Sequence, residues 1–161
     1  MSTIGFDTSN YTTSTAWTDG KTDINVRQIL YVKDGERGIR QSDGVFQHMK
    51  LMPVMYEKLS EQIDFKDLKA VGVSTRPRCV EGSYMPVFLA GEGYAKVVAN
   101  TLGVPLYEFS HQDGHIMAGI YSSGSFELLE NDFISVHLSG GTTEILKSRY
   151  NGFNFDNEII G

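Results

Sequence analysis

The sequence predicts an α/β fold: a mixed five-stranded sheet with helices on its faces, followed by the first strands of a second unit. Three observations carry this reading. Three strand-like segments follow one another directly at the N-terminus. Amphipathic helices and short apolar strands then alternate, the pattern of parallel crossovers. After Ser122 to Ser125 the pattern resets to three further strands.

Thr3 to Asp7 reads as the first strand, closed by a polar turn from Thr8 to Tyr11. Thr12 to Thr18 is rich in β-branched threonine and reads as the second, ended by Asp19-Gly20. Asp23 to Val32 places Ile24, Val26, Leu30 and Val32 on one face, as a third strand would. Val45 to Ile63 carries Phe46, Met49, Met52, Val54, Met55, Leu59 and Ile63 at near-helical spacing, with Pro53 as an expected kink. Lys69 to Ser74 is short and apolar, as a buried parallel strand would be. Tyr84 to Leu102 predicts a second helix, with Gly103 placed to stop it. Val104 to Phe109 and His111 to Tyr121 follow as strand and helix. The order implies an antiparallel meander joined to right-handed crossovers, the ribonuclease-H-like arrangement. Phe133 to Leu138, Thr143 to Ser148 and Gly152 to Glu158 form the second meander. With no helix following to cover it, it reads as the opening of a truncated second lobe. The expected division is 1–122 for the first lobe and 123–161 for the start of the second.

Composition narrows the function classes. The 161 residues carry a net charge of −6, which argues against a broad basic surface for nucleic acid and leaves room only for a local patch such as Arg76 and Arg78. Cys79 is the only cysteine, so an internal disulfide is excluded and a reducing cytoplasm is the expected location. The chain enters a strand at once, without the basic and apolar segments of a signal peptide, and no apolar run has membrane-spanning length.

Chemistry concentrates in three places. His111 and His115, in Ser110-His-Gln-Asp-Gly-His115, stand four residues apart, which brings two imidazoles onto one helical face where they can share a divalent metal. The same residues also suit a helix start capped by Ser110. Ser139-Gly140-Gly141-Thr142 between two strands is either a phosphate-cradling turn or a plain hairpin. Asp7-Thr8-Ser9 at the end of the first strand is either a phosphate and Mg²⁺ turn or an Asx-turn that ends the strand. Arg76 and Arg78 read as phosphate contacts or as a solvated turn around Pro77. His48 reads as a core or surface histidine, His137 as structural, and Cys79 has no base partner to make it a nucleophile. The residue after His111 is Gln112 where a zinc protease helix has its glutamate base, which argues against proteolysis.

Taken together and in this order, the motifs resemble the glycoprotease-like family (TsaD/Gcp, peptidase M22-type) that makes threonylcarbamoyladenosine in tRNA. Ile4-Gly5-Phe6-Asp7-Thr8-Ser9 is similar to its first phosphate turn, and Arg40 to His48 to a segment ending in histidine. Val73-Ser74-Thr75 with Gly82 to Lys96 is similar to its central strand, bend and long helix. Ser110 to His115 matches its metal pair, and Leu138 to Thr143 its second phosphate turn. Thr142 stands where the family has histidine, and Arg76-Pro77-Arg78 where it has Gly-Pro-Gly.

The resemblance implies a lobe of the actin-like, sugar-kinase and Hsp70 ATPase superfamily. It implies a divalent metal, iron or zinc, at His111 and His115, with a third ligand, an aspartate, on a lobe absent from this chain. It implies ATP or an acyl-adenylate, with Mg²⁺, against Asp7, Thr8, Ser9, Ser139, Gly140, Gly141 and Thr142, with substrate or tRNA phosphate near Arg76 and Arg78. tRNA and the other subunits of a tRNA-modification complex are the implied partners of the full-length protein. As this piece alone the chain is expected to be inactive. A non-catalytic scaffold of the same superfamily, dimeric if the chain ends at Gly161, and an actin-like ATPase or kinase lobe unrelated to tRNA are the competing readings.

Overall fold

The computed structural model describes residues 1–138 and 143–161. Its first five strands are β1 (Ser2–Asp7), β2 (Thr12–Thr18), β3 (Asp23–Ile29), β4 (Leu68–Arg76) and β5 (Leu106–Ser110). They form one sheet in the order β3-β2-β1-β4-β5. β1 pairs antiparallel with β2 and parallel with β4, and β4 pairs parallel with β5. Short turns connect the antiparallel strands, and helices make the parallel crossovers, as chain geometry requires. This is the mixed five-stranded sheet predicted from the sequence.

α1 (Gln41–Ser60) lies against β2 and β3, and α2 (Phe88–Leu102) packs beside it on β4 and β1. Ile4, Phe6, Met52, Leu59, Leu68, Val71, Val73, Ala95 and Ala99 form the core between them. Each large side chain sealed there contributes roughly 1.5–3 kcal/mol. Gly103 ends α2 in the left-handed region at φ 66°, where its N–H closes onto Ala99 and Asn100.

The helices depart from the predicted ones in two ways. α1 starts four residues before Val45, and its inner face is Gly44, His48, Met52, Met55 and Leu59. Phe46, Met49 and Val54, expected in the core, are exposed. α2 starts at Phe88, four residues after Tyr84, because Pro86 disfavours helical backbone at Met85.

The chain then passes through α3 (His111–Ser123) and a short 3₁₀ turn, Phe126–Glu130, into a separate antiparallel sheet. Its strands are β6 (Phe133–Leu138), β7 (Thr143–Tyr150) and β8 (Phe155–Ile159), in that order. The preceding helix covers one face: Ile116 and Ile120 of α3 pack with Leu146 and Phe155, flanked by Leu128, Phe133 and Tyr150. The other face leaves Ile134, Val136, Leu138 and Ile145 exposed. Among the described residues, no helix is long and apolar enough to cross a membrane.

Candidate metal centre

The site grows from the junction of β5 and α3. Ser110, the last residue of β5, has extended backbone and caps α3, its side chain accepting from the Asp113 N–H. Asp113 returns the contact, its Oδ2 accepting from the Ser110 N–H at 3.1 Å and the Ser110 hydroxyl at 2.7 Å. This reciprocal cap stabilises the helix start by about 1 kcal/mol and fixes its phase. The Gln112 N–H adds a bond of 3.0 Å to the Pro77 carbonyl, tying α3 to the loop after β4. His111 and His115 therefore share one face, with Nε2 atoms 2.8 Å apart and ring centroids 4.2 Å apart.

Asp7, at the end of β1, reaches this pair. Its Oδ1 accepts from the Ser9 N–H at 2.7 Å, making the Asx-turn that ends the strand. Its Oδ2 lies 2.9 Å from His111 Nδ1. Burial alone pushes the Asp7 carboxyl up, but the hydrogen bond and charge of His111, with bonds from Ser74 and Ser9, outweigh it and hold it at about 2. An ionised carboxylate only accepts, so His111 donates to it from Nδ1, and its Nε2 faces His115. Burial, with His111 and His137 nearby, lowers the basicity of His115, keeping it neutral.

Two imidazoles with converging nitrogens, one oriented by a carboxylate behind it, suit a zinc or iron ion. The donor set fits a metal in part. Among the described residues no group of three His, Cys, Asp or Glu side chains stands ready to hold one.

The second sheet closes one side of the site. His137 on β6 and Glu144 on β7 are cross-strand partners facing α3. The His137 ring centroid lies 5.6 Å from that of His115, and its Nδ1 is 3.8 Å from Glu144 Oε2. Gln112 donates to Glu144 Oε2 at 3.4 Å, and Arg78 pairs with Glu144 Oε1 at 2.7 Å.

Several predicted site residues take other places. The Thr8 hydroxyl is fully buried, donating to the Val87 carbonyl at 2.8 Å and accepting from the Gly91 N–H at 3.0 Å, so it anchors α2 to the end of β1. Arg78 pairs with Glu144. Arg76 turns to Thr75 Oγ1 and the Cys79 sulfur. His48 is a core residue, its Nδ1 2.7 Å from Thr13 Oγ1. Ser139, Gly140, Gly141 and Thr142 lie outside the described residues. Sequence reasoning missed His137 and Glu144 as neighbours of the pair. The signal was the inverted alternation of β6, where Ile134, Val136 and Leu138 point away from α3 and Ser135 and His137 towards it.

The model of the family TsaD, tRNA N6-adenosine threonylcarbamoyltransferase, matches residues 35–160. The chain belongs to this family. The tRNA N6-adenosine threonylcarbamoyltransferase of Christiangramia forsetii is 32% identical over 113 residues, 69% of this chain and 31% of the relative. That of Pyrobaculum calidifontis is 28% identical over 144 residues, 88% of this chain and 40% of the relative. The chain thus spans about a third of the length of these TsaD relatives. Among solved structures, YeaZ from Pseudomonas aeruginosa superposes with a TM-score of 0.56 at 11% identity, covering 98% of this chain and 64% of that one. EutJ from Carboxydothermus hydrogenoformans gives 0.51 at 19%, covering 100% and 53%. These two likenesses show the fold, an actin-like lobe.

Proposed function

We propose that this TsaD-family chain is the part of a tRNA threonylcarbamoyltransferase that holds the divalent metal and one wall of the adenylate site, inactive without the remainder of such an enzyme. Residues 1–122 form the first lobe in this reading and 123–161 open the second. The observation that carries it is the Asp7–His111–His115 line. When bound there, the metal would act as a Lewis acid on a substrate carbonyl. The chain's own residues do the rest. Asp7 fixes the His111 tautomer, and the Ser110–Asp113 cap fixes the phase of both histidines. Arg78, Glu144 and Gln112 hold the second sheet against α3. Ser139, Gly140 and Gly141, expected from the sequence to meet the adenylate phosphate, lie outside the described residues.

A non-hydrolysable threonylcarbamoyl-adenylate analogue, titrated into the zinc-loaded chain, tests this. Saturable binding that His111→Ala abolishes is the expected result. Equal binding by wild type and His111→Ala, or no binding by either, contradicts it.

A second reading, a scaffold that associates through its second sheet, rests on the exposed row Ile134, Val136, Leu138 and Ile145. A concentration-dependent dimer in sedimentation velocity, lost in Val136→Lys, supports it. A monomer at all concentrations counts against it.

A further inference from the structure

β3 is the last strand on its side of the five-stranded sheet, so one edge of it is open. Two backbone bonds fix the phase of that edge. Leu30 donates to the Tyr11 carbonyl at 2.8 Å, and Asp19 donates to the Thr22 carbonyl at 3.3 Å. Counting in twos between them, Ile24, Val26 and Gln28 also turn their backbone groups to β2. The N–H and C=O groups of Asp23, Asn25, Arg27 and Ile29 therefore point outwards, where no strand receives them among the described residues. At the next outward position the edge is closed. Gln47 of α1 bonds both the N–H and the C=O of Tyr31, at 2.8 and 2.9 Å.

Open edges are usually protected by a proline, a bulge or repelling charge. β3 contains no proline and pairs with β2 in unbroken register. Its charges are of opposite sign: Asp23 and Arg27 stand on the exposed face with Asn25 midway, while Ile24 and Val26 pack towards the core. Tyr121 of α3 donates to Asp23 Oδ1 at 3.2 Å, which steadies the carboxylate and leaves Oδ2 for a cation.

This pattern is complementary to itself. An antiparallel neighbour must set outward residues against outward residues, which allows only alternate registers. With Asn25 on a twofold axis, Asp23 of each copy faces Arg27 of the other, and Ile24 faces Val26 on the side of α1. Centring on Asp23 or Arg27 sets like charges face to face, and centring on Ile24 sets Lys21 against Arg27. Centring on Val26 leaves Asp23 opposite Ile29 and calls on the Tyr31 groups that Gln47 already holds.

We propose that the edge of β3 is a self-association surface: two copies of this chain pair strand to strand about Asn25, with two Asp23–Arg27 ion pairs across the axis. The interface is small, so the dimer is weak and forms with rising concentration. It is independent of the histidine pair and of the exposed row on the second sheet.

The test is sedimentation velocity over roughly 10–500 µM, a range suited to a small interface, with every variant in a Val136→Lys background that removes association through the second sheet. The parent is expected to dimerise. Asp23→Arg and Arg27→Asp should each weaken association at least about tenfold, because each sets like charges opposite one another. Mixed one to one, these two variants should recover it, since every charge then faces its opposite. Asn25→Cys, with Cys79→Ser, gives a second readout: on the axis its thiols should close an intermolecular disulfide under air oxidation. Ile29→Cys, also exposed but off the axis, should not. A parent that stays monomeric while Asn25→Cys forms no disulfide overturns the proposal, as does a dimer that both charge reversals leave intact. A mixture that recovers nothing overturns the Asp23–Arg27 register.

Discussion

Asp7 and His111, 104 residues apart in sequence, meet at 2.9 Å between the end of β1 and the start of α3. The first strand of the sheet therefore sets the orientation of a residue on its last helix. Asp7→Asn keeps an oxygen for the Ser9 N–H but presents an amide donor or a neutral acceptor to His111. Zinc affinity is expected to fall about 10- to 100-fold, as for other partners standing behind a ligand. Isothermal titration on the folded variant measures this.

The contact of Thr8 with α2 leaves no room for a side chain at Gly91. A Cβ there would stand 2.9 Å from Thr8 Oγ1 and 3.3 Å from its Cγ2. Alanine is the better helix former by about 1 kcal/mol, yet the clash falls on a buried hydroxyl already bonded on both sides. Gly91→Ala is expected to lose about 1–3 kcal/mol net, read by urea denaturation.

Arg78 and Glu144 join the loop after β4 to the second sheet, and the Glu144 side chain is only 10% exposed. Arg78→Ala strands that carboxylate, and a cost of about 1–3 kcal/mol is expected in urea denaturation. Lys147→Ala, whose partner Asp132 is exposed, should stay within about 0.5 kcal/mol of wild type.

His48 predicts how stability follows pH. Burial holds its basicity below the ordinary 6.5 in the folded chain. Below that pH the unfolded chain takes up a proton that the folded one resists, so stability falls as pH drops through this range. His48→Leu removes this contribution at the expense of the Thr13 bond, about 1 kcal/mol at neutral pH. Thermal melts from pH 7.5 to 5 should show a shallower acid decline in the variant than in wild type.

The sheet was legible because its signals are local. Strand-like alternation, glycine stops and the helix–strand rhythm name the five strands and their order. The face of α1 was not, because Phe46, Met49 and Val54 are as apolar as Met52, Met55 and Leu59, and only the packing against β2 and β3 selects between them. At the site, four-residue spacing placed His111 and His115 together. The company of Asp7, His137 and Glu144 depends on how β1, β6 and β7 meet α3, and no spacing in the chain encodes it.

The proposed function stands on metal binding by His111 and His115. Zinc titration of the chain, followed by isothermal calorimetry, tests it most directly, with His111→Ala and His115→Ala in parallel. One equivalent bound by wild type, with affinity at least about 100-fold weaker in each variant, is the predicted result. Binding that survives both substitutions, or is absent from the wild-type chain, would contradict it.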